Sequence, residues 1–145
     1  MPEEIRRIRF TFAETAQALN DYARDHGIRL PEGHITRARL GKKAKHEIHT
    51  MREHTGRVQQ DHNVSEADDD IIITFFDDSA MQHNALNLSK AVIAAVLIDY
   101  CIDNKILLPK QAQKSIAVDE LYICMDIELS SASDKDAAIL SLEED

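Results

Sequence analysis

Aromatic residues are scarce in this chain: there is no Trp, and Phe and Tyr together make up 5% of its 145 residues. The core must therefore rest on Ile, Leu, Val and Ala. The hydrophobic content of 43% and charged content of 30% are ordinary for a globular protein. Cysteine is almost as rare. Cys101 and Cys124 each sit inside an apolar run, whereas a secreted disulfide scaffold carries more cysteines at regular spacings. Two buried thiols in a reducing compartment are expected. The four glycines are too scattered to form a phosphate loop, and neither a nucleophile elbow nor a Cys-x-x-Cys pair is found. Long apolar runs are lacking as well. The longest, residues 91–98, ends at Asp99, far short of the roughly 20 residues of a membrane span. The acidic start Met1-Pro2-Glu3-Glu4 has no apolar stretch and does not read as a signal peptide. A cytoplasmic protein without a membrane partner is expected.

Positive charge is in deficit, with 17 Lys and Arg against 26 Asp and Glu, a net charge of −9. That balance disfavours a general binder of nucleic acid or anionic membranes and favours solubility. The length fits one domain. A chain of this size buries roughly 68–70% of the surface its unfolded form exposes, so no cofactor, metal or disulfide is needed to hold it together.

What the sequence does contain is a repeat. Displaced by 78 positions, residues 11–31 fall on residues 89–109 without a gap, and nine of the 21 positions are identical. Roughly one or two identities would arise by chance at ordinary residue frequencies. The identities include Leu19/Leu97, Asp21/Asp99, Tyr22/Tyr100, Asp25/Asp103 and Pro31/Pro109. Thr11 and Ser89 coincide as helix N-caps. Glu14 completes a capping box with Thr11, and Leu88 with Ile93 forms a hydrophobic staple. Gly27 suits the left-handed residue after the first helix, where the second copy has Lys105.

These signals predict a strand at about 5–11, a helix at 12–26, a central strand at 70–76, a short strand at 85–88, a helix at 90–104 and a long strand at 117–129. The fold class expected is α+β. It is a two-layer sandwich of a mainly antiparallel sheet and two principal helices, with pseudo-two-fold symmetry from an internal β-α-turn duplication. A ferredoxin-like βαββαβ order is the leading topology. Residues 1–129 form one domain, with repeat units at about 5–31 and 83–109 and a basic, His-rich connection at 32–69. Residues 130–145 read as an acidic tail.

Four groups of residues invite a chemical reading. Residues 29–57 hold eight Lys or Arg against three Glu. Arg37, Arg39, Lys42, Lys43, Lys45, Arg52 and Arg57 form a candidate phosphate-binding arm, although no aromatic residue interleaves them to stack a base. His46 and His49 lack the partners of a zinc site. Asp77 and Asp78, with His83 nearby, end the expected central strand, where a metal or a catalytic base is often placed. The duplicated pairs Asp21/Asp25 and Asp99/Asp103 read as structural acceptors for the following loop, Arg24 or Lys110. Val92, Val96 and Tyr100 lie on a helix apolar almost all round and form a candidate oligomer interface. The leading functional expectation is a non-enzymatic interaction or regulatory protein that binds a protein partner or itself. A nucleic-acid-associated factor using residues 37–57, or a small metal-dependent enzyme at Asp77/Asp78, are the alternatives.

Overall fold

The computed structural model describes residues 4–41, 50–51 and 70–129. In chain order these form β1 (Glu4–Thr11), α1 (Phe12–His26), β2 (His34–Gly41), β3 (Thr50–Met51), β4 (Asp70–Asp77), β5 (Gln82–Ser89), α2 (Lys90–Asp103), β6 (Gln113–Val118) and β7 (Tyr122–Leu129). The protein is α+β. One sheet has the order β1-β7-β6 and the other β2-β4-β5-β3. All pairings are antiparallel except the two-residue β3, which runs parallel to β5.

The ends of the two helices share features at the 78-residue displacement. Thr11 caps α1 by accepting the Glu14 N–H, and Glu14 returns the bond to the Thr11 N–H. Ser89 caps α2 by accepting the Val92 N–H. At the exits, Gly27 and Lys105 both turn left-handed, with φ of 65° and 59°. The next residue then donates back into the last turn, Ile28 to Ala23 and Ile106 to Cys101, each at 2.8 Å. That bond satisfies a carbonyl the helix end would otherwise leave open.

Strands are exchanged between the two halves of the chain. β1, which precedes α1, pairs with β7, which follows α2; β5, which precedes α2, pairs with β4, which follows α1. The registers correspond: Phe10 lies opposite Ile123 as Leu88 lies opposite Ile71. The single sheet of a βαββαβ order is therefore not formed. The predicted strand 117–129 is two strands, because Asp119 folds back between them. Its Oδ1 accepts the N–H groups of Leu121 and Tyr122 at 3.0 Å each, a turn typical of Asp. Leu121 stands 66% exposed at that turn.

Ile71, Ile73, Leu86, Leu88, Ile123 and Met125 face the core from the two sheets. Both helices pack on them and on each other. α1 buries one stripe, Thr15, Ala18, Leu19, Tyr22 and Ala23. α2 buries every residue from 92 to 98. Ile102, nearer its end, stands 57% exposed. Among the described residues, no helix is long and apolar enough to cross a membrane.

Lys114 on β6 is fully buried. Its Nζ donates to the carbonyls of Pro109 at 2.6 Å, Ala112 at 3.1 Å and Lys110 at 3.3 Å, so each ammonium proton has an acceptor. Burial pulls its pKa down to about 8. An inward charge on the free-edge strand of a sheet also discourages pairing with another chain.

Candidate nucleic-acid interface

The alternation of β4 sends Ile71, Ile73 and Phe75 into the core and turns Ile72, Thr74 and Phe76 to the opposite face. Strand register then sets three rows across that outer face. His34, Phe76 and His83 form the first; Arg37, Thr74 and Ala85 the second; Arg39, Ile72 and Asn87 the third. In the first row the His34 and Phe76 ring centroids are 6.0 Å apart at 76°, and those of Phe76 and His83 are 4.8 Å apart at 48°. Gly33 makes this approach possible: a β-carbon there would run into the Phe76 carbonyl, and its φ of 110° suits glycine. A bulge between Ile35 and Arg37 shifts the register by one residue, which aligns Arg37 and Arg39 behind the rings. Among the described residues, neither arginine has an ion-pair or hydrogen-bond partner. The exposed part of the face is the end with the rings and Arg37; at the far end Asp70 and Asn87 are enclosed.

Beside the β2 edge lies an open cleft of about 600 Å³. Arg37, Ala38, Arg39 and Leu40 form one wall, and Val118, Asp119 and Glu120 the other.

The outer face of the β1-β7-β6 sheet differs in chemistry. Arg7 grips Asp126 with two bonds of 2.6 and 2.8 Å, and Arg9 lies 5.1 Å above the Tyr122 ring. The hydrogen bond from Arg7 holds the Asp126 carboxyl below its ordinary value. Cys124 is buried beneath these side chains and Cys101 in the core, neither in a disulfide. Burial raises both thiols, Cys101 to about 11.

The residues expected at a metal site are only partly gathered. Asp77 is occupied by its own turn, where its Oδ1 accepts from Ser79 N, Ser79 Oγ and Ala80 N at 3.0, 3.1 and 3.3 Å. Asp78 lies 3.9 Å from His34 Nδ1, and His83 packs on Phe76. Among the described residues, no three His, Cys, Asp or Glu side chains converge. Asp21 accepts from Arg24 at 3.1 Å. Asp99 stands near the buried Tyr22 hydroxyl, whose pKa rises to about 12 from burial first and that carboxylate second. Val92 and Val96 are wholly enclosed by their own chain, so they offer no surface to a partner. Tyr100 is half-buried, edge-on to Phe10 at 6.0 Å. His46, His49, Lys42, Lys43, Lys45, Arg52 and Arg57 lie outside the described residues.

The ring row escaped sequence reasoning because His34 and Phe76 are 42 positions apart. Half of it was readable. The tight turn at 78–81 joins β4 to β5, and so sets His83 opposite Phe76. No protein-family model, curated protein or solved structure matches this chain.

Proposed function

We propose that this protein is a non-enzymatic, nucleic-acid-associated binding factor whose working surface is the outer face of β2-β4-β5. The observation that carries the reading is the pair Arg37 and Arg39, without ion-pair or hydrogen-bond partners among the described residues and aligned along one strand of a face that also bears an aromatic ring. Unpaired guanidinium groups are free to meet phosphates. The net negative charge is unevenly distributed along the chain. Residues 1–57 hold twelve Lys or Arg and eight Asp or Glu, whereas residues 58–145 hold five and eighteen. The basic tract beyond Arg39 continues the same sign of charge from the end of β2.

We take the chain to be two copies of one β-α-β-β unit, on the strength of the matching caps, exits and registers. Two buried free thiols suit a cytoplasmic setting. Self-association drew its support from the apolar surface of α2, of which residues 92–98 lie in the chain's own core and Ile102 is exposed.

Fluorescence anisotropy with labelled oligonucleotides at ~20 to ~200 mM salt tests the proposal. Affinity should fall as salt rises, with a logarithmic slope of about −0.7 for each phosphate contacted on a single strand. Absence of binding at the lowest salt would end it.

A further inference from the structure

We infer that the ligand of this face is single-stranded nucleic acid, with an unpaired base stacked on Phe76 and the sugar-phosphate chain carried along Arg37 and Arg39. The inference rests on the binding face proposed above and adds the form of the ligand.

The three rings sit in one row because their residues are register partners across three adjacent strands. Adjacent strands are about 4.8 Å apart, so the row is roughly 10 Å wide. The ring contacts between Phe76 and its two histidines hold the row together. The rings are inclined to one another by 76° and 48°, so the row presents Phe76 between two tilted histidines, and a base, which stacks on Phe or His without regard to sequence, meets one ring of the row. Arg37 and Arg39 stand in the next two rows along β2, about 7 Å from one another.

A duplex fits this surface poorly. Its bases are already stacked on each other and present only their edges. Its major groove, roughly 12 Å wide, admits a helix or a two-stranded ribbon, whereas the rings here lie on a sheet of three full strands. The carboxylates near the face also constrain the path. Asp77 is held in its turn and Asp78 lies beside His34. Asp119 and Glu120 line the opposite wall of the cleft. They repel phosphate from that wall and confine the chain to the arginine side.

The test is anisotropy with a labelled 12-mer of uridine or thymidine, in RNA and DNA form, each measured as single strand and as duplex. The single strand should bind at least tenfold tighter than its duplex. Phe76→Leu should weaken single-strand binding roughly 5- to 150-fold, the range for losing one stacked base, with the salt slope retained. Phe76→Trp should keep the affinity. The histidine ring protons of His34 and His83 in the unaltered protein should shift on adding the single strand, which removes any dependence on how well Phe76→Leu folds. Equal, salt-dependent affinity for both forms, with unmoved histidine signals, overturns this inference and leaves the face a general phosphate binder. Binding of neither form at low salt overturns the underlying reading as well.

Discussion

The two sheets turn comparable outer faces to solvent, and both carry two arginines, yet the arginines are used differently. On β1, Arg7 is clasped by Asp126 and Arg9 rests on Tyr122. On β2, Arg37 and Arg39 have no such partner among the described residues. Asp126 on β7 lies opposite Arg7 on β1 as Thr74 on β4 lies opposite Ala85 on β5, 78 positions after Arg7, and Glu128 lies opposite Ile5 as Phe76 lies opposite His83. One face has its charge satisfied from within. The other replaces the acids with a hydroxyl and a ring and leaves its positive charge available. The number of basic residues would not separate these faces; what stands opposite each of them does.

The largest expected effect breaks that contrast directly. Charge reversal of the β2 pair, Arg37→Glu with Arg39→Glu, should lower oligonucleotide affinity on the order of tenfold or more for each site. Arg7→Glu with Arg9→Glu on the other face should leave affinity within about twofold. Titrations at one fixed salt concentration compare them, and equal losses would dissolve the distinction.

Next in size is a contrast between the two edge strands. Lys114 on β6 corresponds to Thr36 on β2, which is exposed and makes one 3.4 Å bond to the Thr74 carbonyl. Lys114→Met strips three carbonyls of their donor and should cost about 2–4 kcal/mol. Thr36→Ala should stay within about 0.5 kcal/mol. Urea denaturation reads both. The Lys114 pKa, about 8 when folded against an ordinary 10.5, also sets a sign. Between those values the unfolded chain holds more protons, so stability should rise with pH there. Lys114→Met should lack that rise.

A smaller effect separates the two helix exits. Nothing lies within 4 Å of a β-carbon added at Gly27, so Gly27→Ala should cost only its backbone conformation, about 1–2 kcal/mol. Lys105 holds the same left-handed conformation with a side chain, and Lys105→Gly should gain about 0.5–1 kcal/mol. Thermal melting of the pair should give shifts of opposite sign.

The smallest effect concerns Asp126→Asn. Arg7 lowers the Asp126 carboxyl pKa, so the stability it lends is present above the unfolded value near 3.9 and fades as pH falls through the lower folded value. The variant should melt slightly earlier at pH 7 and together with the parent at about pH 2.

The helices and their caps were legible in the sequence because they depend on neighbours three or four residues apart. Thr11, Glu14 and Gly27 declare their roles locally, and β4 announced its central place by being apolar on both faces. β2 was not legible: HITRARLG has buried Ile35 and Ala38 on either side of a bulge, which destroys the alternation that marks a strand. The split at Asp119 was hidden because Glu120 and Leu121 happen to continue the alternating pattern of β7, so that the one acid in its apolar row, Asp119, passes for an interruption rather than an end. The strand pairing, and with it the row at Phe76, depends on which distant strand lies alongside, and no local pattern encodes that.

Because β1 completes the sheet of β6 and β7, and β5 that of β2 and β4, neither half of the chain owns a finished layer. β1 waits for a partner more than a hundred residues downstream; on the ribosome it stays unmated until nearly all of the described fold has been made. Severing the chain between β4 and β5 would not liberate two small domains. It would leave two fragments, each able to close only by finding the other, or by taking a second copy of itself in the other's place.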